Sequence, residues 1–157
     1  LGNELGVDAR SVHAFIIGEH GDSELAVFSS ANVSGIDLKD FYDMCQPDEY
    51  HEDTERIYDQ VKDSAYKIIE SKKATYFGVA MAVRRICECI MRNEHSILTV
   101  SGVVEGQYGA SDMALSLPAI VGSHGLEQII QIELDEKEEE QLQESIRVLG
   151  NVLDECM

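Results

Sequence analysis

Apolar residues recur along this chain with two different periods, and the switches between them outline its elements. Leu1 and Leu5 stand four apart ahead of Gly6, the pattern of a last helical turn closed by glycine. A chain that opens inside a helix is expected to belong to something longer. His13-Ala14-Phe15-Ile16-Ile17-Gly18 is apolar on both faces and predicts a buried strand. Leu38 to Met44 predicts a short helix ending near Gln46-Pro47. Ile57, Val61, Ala65, Ile68 and Ile69 fall on one helical stripe, with Arg56, Asp59, Lys62 and Asp63 opposite.

From Thr75 to Met91 the polar face almost vanishes: Phe77, Val79, Ala80, Met81, Ala82, Val83, Ile86, Cys87 and Ile90 surround Arg84-Arg85. A helix apolar nearly all round is expected to be buried on several sides, or against a second domain. Strand-like segments follow at Ser96–Val104, Met113–Val121 and Glu127–Leu134, broken by Gly106, Gly109, Gly122 and Gly125. Their connections are too short for helical crossovers, so antiparallel pairing is expected. The last element declares its own start. Asp135-Glu136-Lys137-Glu138 is a capping box, and Leu142, Ile146, Leu149 and Leu153 form the stripe of the helix behind it. The order of elements predicts an α+β fold, a mostly antiparallel twisted sheet packed with long helices.

Composition narrows the classes. The 157 residues fit one domain, and 44% hydrophobic residues suffice for a core. Twelve Lys+Arg against 30 Asp+Glu give a net charge of −18, which argues against a nucleic-acid or anionic-membrane partner. No apolar run approaches the roughly 20 residues of a membrane helix, and the first residues do not read as a signal peptide. A soluble cytoplasmic protein is the expectation. The acidic run Glu136 to Glu140 reads as a solvated helix start matched to the helix dipole. Cys45, Cys87, Cys89 and Cys156 form no C-x-x-C pair and no zinc pattern. They read as buried or partly buried free thiols in a reducing compartment, with Cys87 and Cys89 on different helix faces. No metal site is expected.

Candidate chemistry is concentrated in Gly18-Glu19-His20-Gly21-Asp22-Ser23, directly after the buried strand. Glycines on both sides of His20 let the backbone turn sharply and let a small molecule approach the ring. Histidine titrates near neutral pH and serves as a general acid or base. A histidine that closes a turn is the other reading, and the residues alone leave both open. A hydrolase triad of His20, Asp22 and Ser23 is disfavoured. Residues i and i+2 of an extended segment lie about 7 Å apart at ~3.3 Å per residue, whereas triad groups touch.

Gly18-Glu19-His20-Gly21-Asp22-Ser23-Glu24 resembles the active-site signature of the L-lactate dehydrogenases of the lactate/malate dehydrogenase family. The likeness continues through residues 25–33, Lys73-Ala74-Thr75-Tyr76-Phe77-Gly78-Val79-Ala80, Val100-Ser101-Gly102 and Ser116-Leu117-Pro118-Ala119-Ile120-Val121-Gly122. It spans essentially the whole chain, in order. Malate dehydrogenases typically carry Thr-Met where this chain has Ser23-Glu24, so the resemblance leans toward lactate dehydrogenase.

The resemblance implies that residues 1–157 are the substrate-side, C-terminal domain of such an enzyme, without its N-terminal NAD-binding domain. His20 matches the acid/base that protonates pyruvate as hydride arrives from NADH and recovers the proton from L-lactate. Asp22 is not the aspartate that orients the family's histidine; that partner is expected upstream of position 1. Thr75 matches a threonine lining the substrate pocket, and it also suits the N-cap of the helix that follows. Val79 matches the apolar residue beside the nicotinamide, with core packing as its other reading. His13 matches a histidine that in some bacterial members binds fructose-1,6-bisphosphate across a subunit interface.

The family commonly forms homotetramers, so a homo-oligomer is expected. The chain has no G-x-G-x-x-G after a predicted strand, and the arginine that grips the substrate carboxylate is expected just before Leu1. These 157 residues alone are therefore expected to be inactive. A related L-2-hydroxyacid or malate dehydrogenase, and a non-catalytic acidic binding module on the same fold, are the alternatives.

Overall fold

The apolar run near residue 13 forms strand β1 (Val12–Ile17) in a computed structural model that describes residues 1–46 and 49–156. Pro47, near which the short helix from Leu38 was expected to end, lies outside the described residues. β1 pairs antiparallel with β2 (Leu25–Val33), which pairs with the short β3 (Ile36–Asp37). The sequence reading took 25–33 only as a stretch of resemblance, yet it alternates: Leu25, Val27, Ala31 and Val33 are buried. A long strand with one inward face results. Its register against β1 slips between His13 and Phe15, from His13 opposite Asn32 to Phe15 opposite Val27.

Helices α1 (Leu38–Cys45), α2 (Tyr50–Lys72) and α3 (Tyr76–Arg92) follow; α1 and α3 lie close to their expected bounds, and α2 begins seven residues before the expected stripe at Ile57. Lys73 and Asn93 end the two long helices in the left-handed conformation. The second sheet contains β4 (Ser96–Glu105), β5 (Ser111–Gly122) and β6 (Gly125–Ile129), antiparallel in that order. The expected third strand over 127–134 is thus displaced: pairing starts at Gly125 and ends at Ile129. The single sheet of the sequence reading is two three-stranded sheets, tied where Gly18 bridges to Ser116. The chain closes with α4 (Glu136–Cys156).

The capping box forms as written. The Glu138 N–H donates to Asp135 Oδ1 at 2.8 Å, and the Asp135 N–H donates to Glu138 Oε2 at 3.0 Å. One part of the expectation is corrected: Glu138 is buried, not solvated, because its carboxylate also reaches β2.

Two clusters make the core. The larger joins Ile17, Leu25 and Val27 to Leu115 and Leu117 of β5 and Leu142 of α4. The smaller gathers Leu5, Ala31, Val33, Leu38 and Tyr42 beneath the N-terminal turn. That turn is a single one: the Leu5 N–H donates to the Leu1 carbonyl and Gly6 takes φ of 65°. Arg56 of α2 pairs with Glu4 and Asp53, which holds both carboxyls below their ordinary range, chiefly through its hydrogen bonds.

The expected burial of the 75–91 helix is corrected within this chain. Only Cys89 of α3 is buried, while Tyr76 is 78% and Phe77 81% exposed. Its inner side meets β5, where the Cys89 thiol donates to the Val121 carbonyl at 3.0 Å, and its apolar outer face is open. The outer half of α2 is similar, with Val61, Ile68 and Ile69 exposed. The thiol reading is corrected likewise: Cys89 is buried, but Cys45, Cys87 and Cys156 are exposed. Cys87 and Cys89 do occupy different faces. Among the described residues no helix is long and apolar enough to cross a membrane.

Candidate active site

The segment that carries His20 leaves β1 through Gly18, whose φ of 98° suits glycine and turns the chain sharply. Gly18 exchanges two backbone bonds with Ser116 of β5, at 2.9 and 3.0 Å. The turn is therefore fixed to the second sheet at its first residue. The next N–H, that of Glu19, donates to Ser145 Oγ on α4 at 2.6 Å. The Glu19 carboxylate bends back to accept the Ser23 N–H at 3.2 Å and also bonds the Ser23 hydroxyl.

Helix α2 holds the far end. The Tyr58 hydroxyl donates to the Glu24 carbonyl at 2.5 Å, and the Tyr66 hydroxyl donates to Asp22 Oδ1 at 2.8 Å. That bond to Asp22 pushes the Tyr66 phenol pKa up from its ordinary value. Burial raises the Tyr58 phenol as well.

His20 is exposed and stands on the wall between two cavities. One, of about 510 Å³, lies against α2 and is bordered by Ile17, Val61, Ala65, Tyr66 and Ser116. The other, of about 470 Å³, lies against α3 and the second sheet, with Ile86, Ile90, Val100 and Leu126. Thr99 and Ser116 border both cavities with His20. An imidazole facing a partly apolar hollow, on a loop held from both sides, can pass a proton to a small bound molecule. It has no hydrolase triad around it, for Asp22 is bonded to Tyr66 and Ser23 to Glu19.

The remaining expected residues are placed separately. Thr75 sits at the N-cap position of α3, but its side chain makes no capping bond there, so the expected cap is not realised. Val79 lies one turn along on the open face and is 56% exposed, which excludes core packing within this chain. Neither residue borders the two cavities at His20. His13 is exposed on β1, opposite Asn32, at the edge of its sheet.

Among the described residues Lys62 is the one Lys or Arg bordering a His20 cavity. All six arginines are paired with the chain's own carboxylates: Arg10, Arg56, Arg84, Arg85, Arg92 and Arg147. Among the described residues no group of His, Cys, Asp and Glu is placed to hold a metal. Of the holders of the loop, Ser116 was read only as part of a stretch of resemblance, and Tyr58, Tyr66 and Ser145 escaped the sequence reading. The signal that could have found Ser145 is a hydroxyl on the apolar stripe beside Leu142 and Ile146.

Residues 1–157 match the family model described as lactate/malate dehydrogenase, alpha/beta C-terminal domain. The chain belongs to this family. An L-lactate dehydrogenase of Acetivibrio thermocellus is 50% identical over 157 residues, which is all of this chain and 48% of that protein. L-lactate dehydrogenase 1 of Clostridium acetobutylicum is 43% identical over 154 residues, 98% of this chain and 49% of its own length. The chain thus spans about half the length of the curated relatives it matches.

Solved structures agree. A lactate dehydrogenase from a Medee basin deep-sea metagenome superposes with a TM-score of 0.92 at 42% identity, covering 98% of this chain and 49% of that one. The malate dehydrogenase of Aeropyrum pernix superposes at 0.85 with 26% identity, again over 98% and 49%.

Proposed function

We propose that this domain supplies the acid/base half of pyruvate and L-lactate interconversion in a complete NAD-dependent L-lactate dehydrogenase. The observation that carries the reading is the position of His20, on a loop anchored at Gly18 to Ser116 and open to two hollows. NAD(H) supplies the hydride that enters or leaves the substrate C2. His20, as imidazolium, gives its proton to the C2 carbonyl oxygen of pyruvate, and as neutral imidazole takes it back from the lactate hydroxyl. Thr75 borders the substrate in this reading, and Ile17, Val61 and Ala65 give the hollow beside His20 an apolar wall.

The residues present fit only one end of the dinucleotide. Val79, exposed and apolar at the start of α3, suits contact with a nicotinamide ring. The pyrophosphate finds no glycine-rich cradle in the sequence and no unpaired arginine among the described residues. The NAD-binding domain and the carboxylate-gripping arginine are therefore assigned to another part of the enzyme, and the 157-residue chain by itself is inactive. Cooperating catalytic groups are strongly non-additive, so His20 alone supplies little.

The same proposal places the enzyme in the cytoplasm, in glycolytic fermentation, as a homotetramer. Four free thiols fit a reducing compartment. His13, exposed on an edge strand, is assigned to one side of a fructose-1,6-bisphosphate site between subunits. Ser23-Glu24 and the higher identity to lactate than to malate dehydrogenases favour pyruvate over oxaloacetate.

The test is NADH oxidation by the complete enzyme with a panel of 2-oxo acids, alongside His20→Gln. Loss of the positioned acid lowers kcat by about 10²–10⁴-fold with NADH binding retained. Full turnover by His20→Gln overturns the role of His20, and preference for oxaloacetate overturns the substrate.

A further inference from the structure

The His20 loop is held from the side opposite α2 by one hydroxyl. Ser145 lies on the inner stripe of α4 and is fully shielded from solvent. A hydroxyl among apolar neighbours is disfavoured unless a partner takes it. The partner is the Glu19 backbone N–H, 2.6 Å from Ser145 Oγ, and Ser23 Oγ lies 3.3 Å away. Gly18 completes the contact. A Cβ added there would stand 2.7 Å from Ser145 Oγ, so helix and loop meet at a distance that only glycine allows.

We propose that Ser145 is a positioning residue for His20: by accepting the Glu19 N–H it fixes the Gly18–Glu19 peptide, one peptide ahead of the residue that carries the imidazole. The proposal rests on the reading of His20 as the proton donor and acceptor. Gly18 is locked to Ser116, but from Gly18 to the start of β2 the chain has no strand or helix of its own. With Ser145 in place the two consecutive residues before His20 are both pinned, one to the second sheet and one to α4. The route to the imidazole is one peptide long. Without the hydroxyl, the Glu19 N–H has no acceptor on the buried side, and the peptide is free to rotate toward solvent with the ring attached. Bond-making geometry is intolerant of this, since a misplacement of about 1 Å costs about 10²-fold in rate. Ser145 does not line either cavity at His20, so it touches no substrate.

The experiment uses the complete enzyme with Ser145→Ala, Ser145→Val and Ser145→Thr, each kcat being normalised to NADH-binding sites counted by titration. Valine and threonine share a shape, but only threonine keeps the acceptor. The expected result is a fall in kcat of about 10- to 100-fold for Ser145→Ala and Ser145→Val, pyruvate KM within about twofold of wild type, and kcat recovered in Ser145→Thr. A purely structural serine would lower the number of sites and leave kcat per site unchanged. Wild-type kcat per site in Ser145→Ala, or an equal loss in the threonine and valine variants, overturns the proposal. His20→Gln is run beside them. If it turns over like wild type, the role of His20 itself fails, and that failure is distinguished from failure of the Ser145 link.

Discussion

Glu138 of α4 grips Ser29 of β2 at two points, accepting the Ser29 backbone N–H at 2.9 Å through Oε1 and the Ser29 hydroxyl through Oε2. The same carboxylate accepts the Phe28 N–H at 2.9 Å and the Asp135 N–H at 3.0 Å. This happens where β1 slips its register against β2, so the N–H groups that the strand ladder leaves aside go to the helix. The capping glutamate is thus also the joint between the last helix and the first sheet.

Glu138 is only 5% exposed, and Glu138→Ala leaves the backbone N–H groups of half-buried Phe28 and of exposed Ser29 and Asp135 without this acceptor. An unsatisfied donor costs about 1–3 kcal/mol where it stays buried, and water recovers part of this at Ser29 and Asp135, so a total loss of about 2 kcal/mol is expected. Glu138→Gln keeps one carbonyl oxygen and is expected to lose about half as much. Urea unfolding of the variants measures both. A change under about 0.5 kcal/mol for the alanine variant would mean that the joint contributes no stability.

Gly18→Ala tests the other joint. The φ of 98° is strained for any residue with a Cβ, and the added carbon meets both Ser145 Oγ and, at 3.2 Å, Leu25 Cδ2. A loss of about 2–3 kcal/mol is expected. Ser145→Ala relieves the contact with the hydroxyl but not the backbone strain. The double variant is therefore expected to be more stable than additivity allows, by about 0.5–1 kcal/mol. Strict additivity in a double-mutant cycle would show that the two residues do not press on each other.

How far the sequence reached depended on whether a signal was local. The capping box, the α2 stripe and the β4–β5 pair are local patterns: the box and the two strands formed within a residue or two of expectation, and the helix of the stripe starts earlier, at Tyr50. Strand β2 carried its own period-two pattern in Leu25, Val27, Ala31 and Val33, but Phe28 between them and the serines beside it masked the alternation. The end of β6 at Ile129 is not local, since β5 runs on past Ala119 and its edge there is met by Gly18 at Ser116. At the site, His20 was legible as a residue type between glycines. Its supports come from residues 34 to 126 positions away in the chain, and only folding brings them together. Thr75 and Val79 were legible through resemblance alone, and nothing in this chain's own contacts marks them.

The open face of α3 predicts the behaviour of the 157-residue chain in solution. Tyr76, Phe77, Val79, Met81 and Val83 are each more than half exposed, and neighbouring apolar side chains left open in this way favour association. A net charge of −18 opposes association at low ionic strength, and salt screens that repulsion. Sedimentation velocity is therefore expected to show self-association that grows with both protein and salt concentration. Replacing Phe77 and Met81 together by Asp is expected to abolish it. A strict monomer under all these conditions would show that the face is not adhesive.

The tyrosines set the alkaline limit of stability. Burial, then the charge and hydrogen bond of Asp53 at 3.2 Å, push the Tyr42 phenol up to about 12. Burial also raises Tyr50, Tyr58 and Tyr108. In the unfolded chain these groups lose their protons at about 10. Above that pH the folded state binds more protons than the unfolded one, so stability falls as pH rises. The Tyr42 contribution is intact below about 10 and is lost as pH passes its folded value of about 12. The urea midpoint is therefore expected to hold steady to about pH 9 and then drop progressively. Tyr42→Phe removes one titrating group and one hydrogen bond. It is expected to cost about 1 kcal/mol near neutral pH yet to show a shallower alkaline fall. If the variant and the parent fell with the same slope, Tyr42 would have to titrate alike in both states, which its burial in the second core cluster argues against.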